Sequence, residues 1–204
     1  MKGLLLKDFY TLTSQMRIFF LLIVIFAIMP GYSMTSFAVV YAGMIPFTAL
    51  AYDERAKWDS LAAMMPYSPR QIVAAKYVLG YIAVAGAMLI ALVANLASAL
   101  VSGAGLEPEL LPFMLLMACV SMIFLSLSLP FMFKFGVEKG RVFFFILIGL
   151  VMGAVLIVGD KLAVSLDATE TGMLTPALVA LAVCLLLSLA SMTLSTRWYQ
   201  RREL

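Results

Sequence analysis

Between residues 52 and 77 the chain reads YDERAKWDSLAAMMPYSPRQIVAAKY, with almost wholly apolar sequence on either side. Asp53, Glu54, Arg55 and Lys57 fall close together, and Trp58, Asp59 and Leu61 follow. The chemistry open to such a set is recognition. A Trp supplies a large rigid surface for a partner's pocket, and mixed charges around it set orientation and partner choice. Catalysis has far less to work with. The chain contains no histidine, which removes Ser-His and Cys-His nucleophiles and most metal and proton-relay chemistry. Cys119 and Cys184 each lie inside an apolar run, so they read as small apolar fillers and not as a redox pair. No G-x-x-x-x-G-K-[ST] loop occurs, so the chain lacks the usual means of binding ATP. The polar candidates within apolar runs are Thr48, Asn95, Ser98, Ser121, Ser126 and Ser128. Asn95 stands out, either as an interhelical hydrogen bond or as part of a substrate path with Thr48 and Ser98.

The island needs an element to position it. Trp58, Leu61, Ala62 and Met65 recur at i, i+3, i+4 and i+7, one face of a helix. Asp53 and Glu54 precede Lys57 by four and three residues, which suits helical ion pairs, and acids in a first turn suit the helix dipole. Residues 52–66 are therefore expected to form one short helix that Pro66 ends. Ser68 then reads as an N-cap, Pro69 as the first helical residue and Gln71 as the partner in a capping box. The renewed helix carries Arg70 and Lys76, both expected to snorkel to lipid headgroups. At the N-terminus, Leu4, Leu5, Phe9 and Leu12 recur at helical spacing among Lys2, Lys7 and Arg17. Residues 1–16 read as an interfacial amphipathic helix.

These elements sit in an unusually apolar chain. Of its 204 residues, 64% are hydrophobic and 12% charged, against about 25% charged in a soluble domain. Six apolar runs fall near 18–34, 36–51, 73–101, 111–133, 142–158 and 174–195, and a spanning helix needs about 20 such residues. Pro30, Gly31, Tyr32 and Ser33 separate the first two as a turn. Charge supports that division. With the N-terminus inside, every Lys and Arg except Lys161 falls on the cytoplasmic side, as the positive-inside rule requires. The outer loops carry Glu107, Glu109, Asp160, Asp167 and Glu170. The fold expected is all-α and polytopic: a single transmembrane domain over 1–204, with six spans and both termini cytoplasmic. No ionisable residue is expected deep in a span, which disfavours ion or proton coupling. Gly149 and Gly153 form a GxxxG spacing suited to close helix packing. Phe143, Phe144 and Phe145 read as an interfacial aromatic belt.

In its N-terminal helix, its six spans and its second-to-third-span link, the chain resembles the ABC-2 type permeases. The link carries Lys57-Trp58-Asp59, Pro66-Tyr67-Ser68, Ile72-Val73 and Lys76-Tyr77. A narrower resemblance is to small permeases that export amphipathic peptides such as phenol-soluble modulins and bacteriocin-like peptides. The resemblance implies a cytoplasmic ABC ATPase as a separate partner, which would hold ATP and Mg, with no cofactor in this chain. It implies a coupling helix at 52–66 in which Asp53, Glu54, Arg55, Lys57, Trp58, Asp59 and Leu61 meet that ATPase. It further implies a second permease copy (homodimer or paralogue), contact with membrane lipids, no nucleic acid, and residence in a bacterial cytoplasmic membrane. Two other readings stay open: a non-transporting anchor or regulatory subunit, and a membrane-embedded enzyme. Missing histidine and missing intramembrane acids weigh against the enzyme.

Overall fold

The computed structural model describes residues 2–15, 17–29, 31–103, 109–140, 142–143, 145–146, 149–150 and 174–200. Its elements are all helices: α1 Lys2–Gln15, α2 Arg17–Ile28, α3 Tyr32–Ala42, α4 Ile45–Arg55, α5 Trp58–Ala63, α6 Pro69–Ser102, α7 Leu110–Phe135 and α8 Leu174–Gln200. Among the described residues, four stretches are long and apolar enough to cross a membrane: Ser33–Arg55, Pro69–Ser102, Leu110–Phe135 and Leu178–Gln200. The helix α2, at 12 residues, rises only about 18 Å of the ~30 Å needed. The run 142–158 lies largely outside the described residues. So do the acids at 107, 160, 167 and 170, and the far end of the Gly149–Gly153 spacing.

The expected turn between the first two runs is present. Gly31 takes φ 121, a conformation that only glycine adopts without strain. Here α2 and α3 fold back on each other: Phe26 meets Phe37 with ring centroids 6.2 Å apart, and Ala27 and Ala38 share one apolar cluster. The start of α6 is also as expected. Ser68 Oγ accepts from the Gln71 amide at 3.3 Å, and Gln71 Oε1 accepts from the Ser68 amide at 3.2 Å.

The longest helices pack around α6 and α7. Close approach depends on small residues. A Cβ on Gly80 would lie 2.1 Å from Leu125 Cδ1 and 2.9 Å from Pro46 Cγ, so α4, α6 and α7 meet at that point. The helices α7 and α8 run parallel. Cys184 Sγ donates to the Cys119 carbonyl at 3.8 Å, Ser191 Oγ donates to the Ser126 carbonyl, and Phe133 meets Tyr199 at 5.7 Å. The largest buried cluster gathers Leu4, Phe47, Ala62, Ile72, Leu129 and Tyr199. Parts of α1, α4, α5, α6, α7 and α8 therefore converge at one end of the bundle. Lys7, Arg55, Lys57, Arg70, Lys76, Lys134 and Arg197 lie on the same end segments, which makes this the basic end.

Gly80→Leu should overpack the crossing of α4, α6 and α7 and cost about 1–3 kcal/mol. A lowered unfolding midpoint in detergent, partly restored by adding Leu125→Ala, is the expected result. An unchanged midpoint would contradict the crossing.

Candidate functional site

At the basic end the structure departs from the sequence expectation at several points. Residues 52–66 do not form one helix. Tyr52 to Arg55 continue α4, and the chain breaks at Lys57, which adopts φ 51 and ψ 38. That left-handed conformation is unfavourable for a side chain larger than glycine and needs its surroundings to hold it. Only Trp58–Ala63 form a separate helix, six residues long.

The second departure concerns Lys76. It does not snorkel. Its side chain lies about 10 Å inside α6 by helical rise and is 2% exposed. It closes a ring of alternating charge with three other side chains. Lys76 Nζ lies 2.8 Å from Asp8 Oδ1 and 2.7 Å from Asp53 Oδ2. Lys7 Nζ lies 3.1 Å from Asp8 Oδ1 and 2.7 Å from Asp53 Oδ1. Asp8 is 1% exposed and Asp53 7%. Two ammonium and two carboxylate groups give no net charge. Each carboxylate faces both cations, so no charge is withdrawn from water without an opposite partner. The ring bolts α1, α4 and α6 together. Lys7 also stands 4.2 Å from the centroid of the Trp58 ring, a cation–π contact that extends the assembly to α5.

The other acids of the island are likewise engaged within the chain. Glu54 Oε2 accepts from the Val137 amide at 2.7 Å, at the start of the helical turn after α7. Asp59 Oδ1 accepts from Tyr199 Oη at 3.2 Å, near the end of α8. Asp53 is therefore not on an open polar rim, and Trp58 is half-buried against the main cluster, not exposed. Ala62 is buried beside it. What α5 and its flanks leave outward is Leu61 (50% exposed), Met64 (85%) and Met65, with Arg55 and Lys57 exposed alongside. Lys134 forms a second cation–aromatic group, 4.6 Å from the Trp198 ring and 4.9 Å from Phe135.

A helix, α1, covers the residues read as an interfacial helix, but it turns a different face inward. Leu4 and Asp8, one turn apart, point into the bundle, whereas Phe9 is exposed. Asp8 and Lys7 were missed as site residues. The one available signal was a lone acid at helical spacing from Leu4 in an otherwise basic N-terminus.

The polar residues of the spans come to rest in different places. Asn95 Nδ2 donates to the Ala91 carbonyl at 2.8 Å and to Thr35 Oγ1 at 3.3 Å, and its Oδ1 accepts from the Gly31 amide at 3.2 Å. It clasps the α2–α3 turn to α6. Thr48 Oγ1 donates to the Met44 carbonyl one turn back in its own helix at 3.2 Å. Ser98 is half-buried near the far end of α6. The structure does not bring Thr48, Asn95 and Ser98 together on these contacts. Ser121 Oγ donates to the Val39 carbonyl at 3.3 Å. Among the described residues no cluster suited to a metal ion occurs.

Residues 3–200 match the family model described as ABC-2 family transporter protein. The chain belongs to the ABC-2 transporter family. It is thus a membrane permease component of an ABC transporter, and the helical bundle with its apolar spans is the ABC-2 permease body. The comparisons with curated proteins and with solved structures returned no match. Within this ABC-2 permease, the charge ring joins the N-terminal helix to both ends of the 52–77 link.

Removing one member of the ring leaves a buried charge short of a partner, at a cost of about 3–5 kcal/mol. Lys76→Met and Asp8→Leu should each destabilise the permease strongly. The double variant keeps the Lys7–Asp53 pair and should lose less than the two single losses added. Unfolding midpoints for all four proteins measure this, and strict additivity would dismiss the ring as a coupled unit.

Proposed function

We infer that this permease is the exporting subunit of an ATP-driven system and that α5 is where a separate cytoplasmic ABC ATPase docks. The observation that carries this reading is the pairing of an outward apolar knob with an inward rigid mount. Leu61, Met64 and Met65 present apolar surface at the basic end, and Arg55 and Lys57 flank it. Exposed apolar side chains rimmed by charge suit a protein partner. On the inner side, Trp58 rests under Lys7, Asp59 binds Tyr199 and Glu54 caps the turn at Val137. A push on α5 is therefore delivered to α1, α4, α6 and α8 together. Trp58 acts as the brace of this lever, and Asp53 holds its root in the ring.

Six spans with both termini cytoplasmic remain the topology proposed. The termini of the described chain support an even count, since Leu4 and Tyr199 share one cluster at the basic end. The parallel run of α7 and α8 supports a passage between them, because α7 ends where α8 also ends. The transported substrate is proposed to be an amphipathic or antimicrobial-type peptide, in keeping with apolar walls carrying scattered Ser, Thr and Asn. A second permease copy, identical or paralogous, completes the pathway. ATP and Mg belong to the partner ATPase.

Two measurements test this. Leu61→Glu combined with Met64→Glu should weaken capture of the partner ATPase by about 2 kcal/mol or more, roughly thirty-fold, without lowering the unfolding midpoint. Trp58→Ala should reduce export while ATPase capture falls less. Wild-type capture and export in both variants would remove α5 as the docking element. For topology, a cysteine at position 138 should react only with reagent supplied from the cytoplasm, and one at position 107 only from outside. The reverse pattern would invert the orientation.

A further inference from the structure

A groove of about 670 Å³ runs between α2 and α6, away from α5, and its lining is almost entirely aliphatic and aromatic. Its walls include Leu21 and Val24 from α2 and Ile82, Gly86 and Ile90 from α6. Among the described residues one charged side chain, Arg17, lines it. The register fixes where that charge sits. Ile23 shares a cluster with Ala87, and Ala27 with Ala91, so α2 and α6 rise together and Arg17 falls at the Leu79 end. That is the basic end. Arg17 Nε donates to the Thr13 carbonyl at 2.8 Å, which orients the guanidinium, and no carboxylate pairs with it among the described residues.

Length and the placement of charge decide what fits. From Leu79 to Ile90, α6 rises about 17 Å. Half of the ~30 Å hydrocarbon core is about 15 Å. The groove therefore has the depth of one leaflet, apolar along that depth and cationic at the headgroup level. The single charge at one end, with apolar wall along the rest, matches one anionic headgroup above an acyl chain. We propose that the groove is a binding site for a phospholipid of the inner leaflet, with an acyl chain along Ile82, Gly86 and Ile90 and an anionic headgroup on Arg17. The leaflet follows from the orientation proposed above; the lipid class follows from the groove itself. Cytoplasmic leaflets are rich in anionic lipid, and one Arg near the surface favours it about fivefold.

The test uses the full chain in nanodiscs of equal phosphatidylglycerol and phosphatidylcholine, with retained lipid read by native mass spectrometry. Wild-type protein should hold phosphatidylglycerol over phosphatidylcholine by about fivefold. Arg17→Gln should bring the two to parity. Gly86→Trp should abolish most retention of both; a Cβ at Gly86 meets nothing within 4 Å, so the new side chain fills the groove without pressing on the core. Equal retention of the two lipids by wild type, or undiminished retention by Gly86→Trp with an unchanged unfolding midpoint, would overturn the proposal. Efficient disulfide formation between two copies of Gly86→Cys would assign the groove to a second permease. Displacement of the retained lipid by an amphipathic helical peptide, lost in Gly86→Trp, would assign it to the substrate.

Discussion

Lys76 lies two turns inside α6, the longest of the described helices, and its ammonium is removed from water. Taking a charge out of water costs several kcal/mol, and only opposed charges in good geometry offset that cost. The arrangement of the basic end follows from this constraint. Asp53 at the end of α4 and Asp8 on α1 both have to reach Lys76, and Lys7 has to reach both carboxylates. With Asp8 turned inward, Leu4 turns inward on the same face, and Phe9 and Tyr10 are left outside. The rotation of α1 about its own axis is thus set by ion pairs and not by its most apolar side. Lys7, once drawn into the ring, also covers Trp58 and so fixes α5.

Elsewhere the bundle meets the same demand with neutral groups. Between apolar helices in a lipid environment, association rests on close packing and hydrogen bonds more than on expulsion of water. Gly43 and Gly80 permit close approach: a Cβ on Gly43 would stand 2.1 Å from Ser121 Oγ. Tyr77 Oη bonds Ser191 Oγ at 2.7 Å and Ser195 Oγ at 2.9 Å, which fastens α6 to α8 beside the ring. Asn95 does the equivalent at the opposite end, where it holds the α2–α3 turn. The helix α6 is therefore the common member, bonded at its foot by charge, along its lower half by hydroxyls and near its top by an amide.

This division of labour separates the two surfaces proposed to act in function. The α5 face is mounted on ionic and aromatic contacts that resist displacement, which suits a part that transmits force. The α2–α6 groove, apart from Arg17 and Thr13 toward one end, is lined by apolar side chains, with Gly86 leaving space, which suits an exchangeable acyl chain. Both surfaces meet α6, so its tilt is the one motion that would affect them together.

Much of this was legible in the amino-acid order. Apolar runs, the positive-inside distribution, the turn at Gly31 and the Ser68–Gln71 capping box are local or compositional signals, and each requires only neighbouring residues or sums over a segment. The island at 53–59 was visible for the same reason. Its partition was not. Whether Asp53, Asp59 and Trp58 face a partner or their own protein depends on Lys7, Lys76 and Tyr199, which lie as far as 140 residues away along the chain. Likewise, Lys76 looked free to snorkel because sequence shows a long flexible side chain near a helix start and not the two carboxylates beside it. The break at Lys57 between α4 and α5 escaped notice too, since a left-handed residue that is neither Gly nor Asn leaves no compositional mark. Sequence alone determined that the chain is a helical membrane protein with a charged link between apolar runs. Tertiary structure alone decided which of those charges are bound within the fold and which surface is left for partners, because pairing energies depend on distance and burial, and neither is a property of residue order.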